Sequence, residues 1–326
     1  MNGHFSSNTP LQTGVPQGSV LGPILFTMCM APVGDILRKH GISHHFHADD
    51  TQIYVFFDVK DSEYACDKLE KCVQNVKTWM LINGLKLNDD KTEMILIGSD
   101  HFRSKLSEFN IRVGDTKVCS ESTVRNLGVI FDQSLSMDSF VLKKCQIAVL
   151  NLRSIYMNAK YMDEDIARTL IQTMVMSKLD YANGLLYGVN KKHIKKLQPI
   201  QNSAARLISK IPRRTHITPI LRKLHWLPIE ARVHFKVLVI CFKCLHGIGP
   251  QYLTDLLLPY TPERTLRSSS HLKLVVSKCR SKFGERAFGF FAPKLWNMLP
   301  LNVKKADSVL SFRKRLKTYL FTVFYT

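Results

Sequence analysis

The chain has 326 residues, too many for one small domain and suitable for two domains of roughly 100–200 residues each. Its 45% of hydrophobic and 22% of charged residues exclude a mostly disordered chain. The net charge of +20 is concentrated at one end, because residues 191–326 carry 27 basic and 5 acidic side chains, an asymmetry typical of proteins that bind nucleic acid.

The first predicted elements are a helix and a hairpin. A turn rich in glycine and proline, Gly14–Gly22, precedes an apolar stretch from Leu21 to Leu37 that repeats at helical spacing. Two β-rich runs follow, Ile42–His47 and Thr51–Phe57, on either side of Ala48-Asp49-Asp50. This order predicts a β-hairpin with an acidic turn.

Helices and short strands continue to residue 131. Ser62 can cap a helix that runs to Ile82 and ends at Asn83-Gly84. Further strands are predicted at Thr92–Ile97, Ile111–Val113, Lys117–Cys119 and Leu127–Phe131. Residues 1–131 are therefore expected to form an α+β domain, with an antiparallel sheet backed by helices.

Helical periodicity dominates after Asp132. The predicted helices are Asp138–Met162, Ile166–Leu186, Ile194–Ser209, Ile229–Leu245 and Ser308–Phe321. We therefore expect three regions: the α+β domain at 1–131, a helical region at 132–190, and a basic, mainly helical domain at 191–326.

The chain has no signal for export or membrane insertion. No apolar run approaches the roughly 18 residues that a membrane span requires. Residues 1–10 do not have the basic start and apolar stretch of a signal peptide. Eight scattered cysteines favour a reducing compartment. We expect an intracellular protein of the cytoplasm or nucleus, not secreted and without a membrane partner.

The adjacent carboxylates of Asp49 and Asp50 are the first candidate for chemistry. Like charges at a turn repel each other unless a cation neutralises them. A hairpin turn can aim both groups at one point, where Mg²⁺ would find the oxygen ligands that it prefers. An isolated Asp-Asp pair is more often a solvated turn, but the apolar runs on both sides make a merely solvated turn an unlikely explanation here.

Four motifs in a fixed order resemble the reverse transcriptase of non-LTR (LINE-type) retrotransposons, specifically the CR1/L2-like branch. The motifs are Gly14-Val15-Pro16-Gln17-Gly18-Ser19-Val20-Leu21-Gly22-Pro23, Ala48-Asp49-Asp50-Thr51-Gln52-Ile53-Tyr54, Leu87-Asn88 with Lys91-Thr92-Glu93, and Asn126-Leu127-Gly128. The segments Leu224–Pro228 and Phe291–Asn297 also look like the tail of such element-encoded proteins. The resemblance covers nearly the whole chain.

The resemblance implies an RNA-directed DNA polymerase that uses a two-metal mechanism. A primer 3′-hydroxyl would attack the α-phosphorus of a deoxynucleoside triphosphate on an RNA template, and pyrophosphate would leave. Asp49 and Asp50 match the family's palm aspartates, which bind Mg²⁺. Lys91 matches a catalytic cation near the triphosphate.

The resemblance also assigns positioning roles. Gln17, Gly18 and Ser19 match the loop that lies against the template and the nascent base pair. Leu127, Gly128 and Val129 match the strand that supports the primer end. The fold it implies is a partial reverse-transcriptase palm at 1–131, a helical thumb at 132–190, and a basic C-terminal region.

Two departures from the family affect the expected activity. The family needs a further aspartate on a palm strand upstream of the Gln17-Gly18 loop, whereas residues 1–11 contain no Asp or Glu, and the finger elements are also missing. His47 stands where the family usually has Tyr or Phe. We therefore expect a carboxyl-terminal part of the enzyme, inactive alone without its upstream half or a compensating protein partner. Its nucleic-acid partners would be an RNA template and a DNA primer or target.

The alternative hypothesis is a non-catalytic, basic module that binds nucleic acid through residues 191–326. The candidate phosphate contacts are Lys191, Lys192, Lys195, Lys196, Lys210, Arg213 and Arg214. A solvated helix face explains the same residues equally well. Cys241, Cys244 and His246 suggest zinc, but two cysteines three apart on a predicted helix are more often buried.

Overall fold

A computed structural model describes residues 14–16, 18–106, 109–261, 272–279, 281 and 283–325. The chain separates into two compact units, residues 1–124 and residues 125–326. Helices are mixed with short strands that pair two at a time, which confirms the α+β character. Within these described ranges, no helix combines the length and the apolar character that crossing a membrane requires.

The first unit consists of helices α1–α3 and two hairpins. Its elements are α1 (Gly22–Lys39), β1 (Ser43–His47), β2 (Asp50–Tyr54), α2 (Ser62–Ile82), α3 (Asp100–Ser104), β3 (Asn110–Val113) and β4 (Thr116–Cys119). Pro23 lies in the first turn of α1, where its missing N–H costs nothing, and Arg38 and Lys39 complement the negative end of the helix dipole. Both long helices therefore lie where the apolar spacing predicts them.

Two apolar clusters hold this unit together. The larger cluster joins α1 to α2 through Val33 and Leu37 on one helix and Cys72 and Val76 on the other. The smaller one buries Ile111, Val113 and Val118 on the inner face of the β3–β4 hairpin. These residues alternate with exposed ones, as expected for a sheet with one buried face.

The sheet prediction was wrong in two respects. Thr92–Ile97 is not a strand: Met94 makes an isolated bridge to Ser120, and the Leu96 amide donates to the Ser120 side chain at 2.9 Å, so no ladder forms. The described strands also do not form one antiparallel sheet. They pair as β1–β2, β3–β4, and β5 (Thr123–Asn126) with β6 (Val129–Asp132), because each strand finds its partner across a short turn.

The second unit is mainly helical, as predicted. After β5, which spans the boundary between the units, and β6, its helices are α4 (Asp138–Met157), α5 (Glu164–Leu170), α6 (Ser177–Asp180), α7 (Lys191–Ser209), α8 (Thr218–Lys223), α9 (Ile229–Leu245), α10 (Gln251–Thr254), α11 (Phe288–Asn297), α12 (Leu301–Lys304) and α13 (Val309–Tyr325). A π-helical segment, Ile171–Met176, connects α5 to α6.

Two cores lie within the second unit. The first packs α4 and the π-helical segment against α7, with Val141, Ile171 and Leu197 fully buried. The second is built on α9, α11 and α13, where Phe242 and Phe312 stack at a ring distance of 4.2 Å. Both clusters contain residues of α9, so this helix links the two cores.

Candidate active site

The Asp49-Asp50 pair lies at the tip of the predicted hairpin, and the hairpin is confirmed. β1 and β2 are antiparallel, and His47 stands opposite Asp50. Ala48 and Asp49 form the two-residue connection. Ala48 has φ of 54°, and a positive φ at the first turn position suits the twist of a tight hairpin.

The tip is open to solvent. Asp49 and Asp50 are both exposed, as are His47 and Thr51. The apolar flanks do not cover the tip, because Ile53 and Val55 pack into the unit farther along the chain.

The tip offers two carboxylates to a cation. Mg²⁺ is commonly held by one or two carboxylates together with substrate phosphates, and Asp49 and Asp50 supply carboxylates of this type. A two-metal site needs a further ligand to hold both ions. In the described residues, no group of three His, Cys, Asp or Glu side chains is arranged to hold a metal.

The predicted template loop precedes α1. Gln17 lies outside the described residues. Gly18 is exposed, with φ of +88° and open space around the position of a missing Cβ. The Ser19 side chain accepts a hydrogen bond from the Gly22 amide at 3.0 Å, so its hydroxyl helps to start α1. Gly18 is thus the position where a ligand could approach the backbone closely.

Lys91 is exposed, and a partly buried ion pair holds its segment. Lys91 ends a short 3₁₀ turn that begins at Asp89. The Asp89 carboxylate lies 2.5 Å from the Lys77 ammonium of α2, with only 24% and 23% of their side chains exposed. Gly114 of the β3–β4 turn lies directly against this pair, where a side chain would collide with Lys77. Nothing in the sequence marks Lys77 as the partner of Asp89.

The Leu127-Gly128 motif forms a tight turn between β5 and β6. Leu127 has φ of 46° and Gly128 has φ of 78°, and positive φ at both central residues is characteristic of a type I′ turn. The strand begins only at Val129, which is buried, so the predicted strand Leu127–Phe131 started two residues too early.

Two residues that sequence analysis missed support this turn. The Tyr181 hydroxyl donates a hydrogen bond to the Leu127 carbonyl oxygen. Lys144, only 5% exposed, donates to the carbonyl oxygens of Tyr181 at 2.6 Å and Leu179 at 3.1 Å. Burial lowers the pKa of Lys144 from 10.5 to about 8. A lysine within the apolar stripe of a helix is the one sequence signal that could have identified this contact.

Asp132, at the end of β6, fixes the connection to α4. Its carboxylate accepts hydrogen bonds from the backbone amides of Ser136 and Met137, each at 2.7 Å, and from the Ser134 hydroxyl at 2.7 Å. Burial favours the protonated carboxyl, but these hydrogen bonds favour the charged form more strongly and lower its pKa.

The predicted phosphate contacts lie at the two ends of α7. Lys191, Lys192, Lys195 and Lys196 are exposed in its first turns, whereas Lys210, Arg213 and Arg214 are exposed beyond its last residue. A helix of 19 residues is about 28 Å long, so the structure does not bring the two groups together. The Lys192 ammonium also lies 3.1 Å from Asp138, which partly satisfies its charge.

The cysteine pair on α9 is buried, as the structural interpretation predicted. Cys241 and Cys244 are 0% and 1% exposed. Burial raises the pKa of the Cys241 thiol, which favours its protonated form. His246 stacks on Phe242 at a ring distance of 3.9 Å.

Comparison with known proteins gives one match. Residues 1–131 match the family described as "Reverse transcriptase (RNA-dependent DNA polymerase)". No curated protein and no solved structure matches the chain. The match covers the hairpin with Asp49 and Asp50, the Lys91 segment and the Leu127-Gly128 turn, but not the helices that follow. Over its first 131 residues, the chain is similar to the reverse transcriptase family.

Proposed function

We propose that the chain is the carboxyl-terminal part of a reverse transcriptase of a non-LTR retrotransposon, and that it does not extend primers alone. The observation that carries this proposal is the family match over residues 1–131, together with a hairpin that has Asp49 and Asp50 at its tip. The order of the four motifs supports the non-LTR subtype.

Each candidate residue has a role in the proposed enzyme. Asp49 and Asp50 would hold Mg²⁺, which supplies electrostatic stabilisation of the transferred phosphoryl group when bound. Lys91, on the segment held by the Lys77–Asp89 pair, would offer its ammonium to the triphosphate. The turn of Leu127 and Gly128 would support the primer end.

The proposed inactivity rests on the donor set. Asp49 and Asp50 are solvent-exposed, and the described residues place no third ligand with them. Nucleotidyl transfer with two ions requires both the attacking and the leaving oxygen to be stabilised. A further carboxylate, supplied by an upstream palm segment or a protein partner, would complete the site.

A primer-extension assay tests this proposal. The chain is incubated with magnesium, deoxynucleoside triphosphates and a DNA primer annealed to an RNA template, both alone and fused to the fingers and upstream palm segment of an active non-LTR reverse transcriptase. We expect extension only by the fusion, and none by the same fusion carrying Asp49→Ala. Extension by the chain alone that disappears in Asp49→Ala would contradict the inactivity. A folded fusion that never extends would contradict the assignment.

The second candidate function is a non-catalytic nucleic-acid-binding module at residues 191–326. The lysines at the start of α7 favour it, because the first turn of this helix has no acidic residue and only Lys192 among them has an ion-pair partner in the described residues, Asp138. Binding is expected to weaken steeply as the salt concentration rises, because neutralised phosphates release counterions. Binding with no salt dependence would exclude this function.

A further inference from the structure

The outer face of the β3–β4 hairpin carries two like charges directly opposite each other. Arg112 on β3 pairs with Lys117 on β4 in the antiparallel register, so both side chains point to the same face, and both are exposed. The salt bridges among the described residues include neither cation. A like-charged pair at directly opposite positions destabilises a hairpin, and a bound anion would relieve this repulsion.

The hairpin that carries these cations is held firmly against α2. The Glu70 carboxylate accepts a hydrogen bond from the Arg112 backbone amide at 2.7 Å. The Cys66 thiol donates to the Asn110 carbonyl oxygen at 3.0 Å. On the opposite face of the hairpin, Ile111 and Val118 are buried. The backbone that carries the two cations is therefore fixed, so ligand binding needs ordering only of the two side chains and not of the hairpin.

A groove of about 450 Å³, lined mainly by residues with polar side chains, lies beside Arg112. Its other lining residues include His40, Lys71, Gln74 and Asn75, with Glu70 already engaged by the Arg112 amide. Lys71 forms an exposed ion pair with Asp67 at 2.7 Å, which is weak enough to exchange for another anion. No Phe, Tyr or Trp side chain lines this groove, and its one ring, the His40 imidazole, is hydrogen-bonded to Asn75 at 2.9 Å, so stacking contributes little here.

We propose that Arg112, Lys117 and the adjoining groove form a binding surface for the phosphodiester backbone of a nucleic acid. The unit that carries this face, residues 1–124, is net acidic, with 12 basic and 15 acidic side chains, so the cationic face is a local feature and not an extension of the basic region at 191–326. Two phosphate contacts without a stacking platform give binding that does not depend on base sequence. The inference rests on the proposed function only in taking nucleic acid as the partner.

The test compares two double variants of the full chain with the same change of charge. R112Q/K117Q removes the opposed cations, and K60Q/K105Q removes two exposed cations elsewhere in the same unit. Affinity for a single-stranded oligonucleotide is measured by fluorescence anisotropy over a range of salt concentrations. The salt slope of R112Q/K117Q is expected to fall by about 1.4, or about 0.7 for each lost phosphate contact, whereas the control keeps the wild-type slope. R112K/K117R, which keeps both charges, is expected to have the wild-type salt slope.

Four other results would contradict the proposed surface. Equal slopes for R112Q/K117Q and K60Q/K105Q would overturn this surface while leaving the proposed function intact. Absence of any binding by the wild-type chain at low salt would overturn both. A loss limited to one homopolymer would contradict a contact with the backbone. If R112Q/K117Q loses affinity for polyglutamate but keeps it for the oligonucleotide, the partner is an acidic protein and the proposal fails.

Discussion

The hydroxyl of Tyr181 donates a hydrogen bond to the carbonyl oxygen of Leu127 across 54 positions of sequence. Leu127 has φ of 46°, a conformation that costs a residue with a side chain roughly 1 kcal/mol. Such a conformation persists only when its surroundings enforce it. Tyr181 supplies this constraint and is itself held by Lys144. The turn that matches the primer-supporting motif is therefore built from two distant parts of the chain.

The first prediction concerns this hydrogen bond. Tyr181→Phe is expected to lower the free energy of unfolding by about 0.5–1.5 kcal/mol, because it removes one hydrogen bond and leaves the ring in place. Amide hydrogen exchange at Leu127 and Gly128 should become faster. Tyr161→Phe, at a tyrosine that is 76% exposed, is the matched control and should change neither quantity. Unchanged exchange at the turn in Tyr181→Phe would show that the hydroxyl does not hold it.

The second prediction concerns the cost of a side chain at Gly128, which could come from backbone strain or from a steric clash. A methyl group there would lie 3.4 Å from the Tyr181 hydroxyl, an ordinary contact, but φ is +78°. Gly128→Ala is therefore expected to cost about 1 kcal/mol through the backbone alone. Gly184→Ala, with no positive φ and its nearest neighbour at 3.8 Å, should be neutral or slightly stabilising in urea unfolding. Equal costs for the two variants would contradict this explanation.

Elements set by local sequence were predictable. α9 spans Ile229–Leu245, the range that helical spacing predicts. The apolar positions that define this helix and the residues that flank it all lie within one short segment of sequence. The hairpin around Asp49 and Asp50 was also recognisable from its two β-rich runs and short turn. Thr92–Ile97 has the composition of a strand but finds only one bridging partner, at Ser120, and a missing partner cannot be seen in the segment itself.

The site was predictable as a set of motifs but not as a set of contacts. The motif residues Asp49, Lys91 and Gly128 are local in sequence, and residues 1–131 match the reverse transcriptase family. Their supports are not local: Lys77 reaches Asp89 from 12 positions away, and Lys144 reaches Tyr181 from 37. No periodicity marks a lysine as the partner of a distant group, so these residues became visible only in the fold.

The third prediction tests the support of the Lys91 segment. Lys77→Met removes one member of a largely buried ion pair and leaves the Asp89 carboxylate without its cation. The other oxygen of this carboxylate, Oδ1, is buried and already has no hydrogen-bond partner among the described residues. We expect a loss of about 1–3 kcal/mol of unfolding free energy, below the full cost of a completely buried pair because about a quarter of each side chain is exposed.

A double-mutant cycle isolates the ion pair. Lys77→Met/Asp89→Asn should cost less than the sum of the two single changes, because the double variant leaves no unpaired charge. Lys71→Met, at an exposed lysine of the same helix, is the control and should cost less than 1 kcal/mol. Strict additivity in the cycle would show that Lys77 and Asp89 do not interact.

The last prediction follows from the lowered pKa of Lys144. Its pKa is about 8 in the folded chain and 10.5 when exposed by unfolding, so between these values the unfolded chain binds the additional proton. The contribution of Lys144 to the unfolding free energy must therefore rise with pH from about 8 to 10.5, by at most roughly 3 kcal/mol. The difference in unfolding free energy between wild type and Lys144→Met should increase over this range. Lys143→Met, at an exposed neighbour, removes the same formal charge and is the matched control. A difference for Lys144→Met that stays constant over this range would mean that the buried ammonium stays charged on its two carbonyl oxygens.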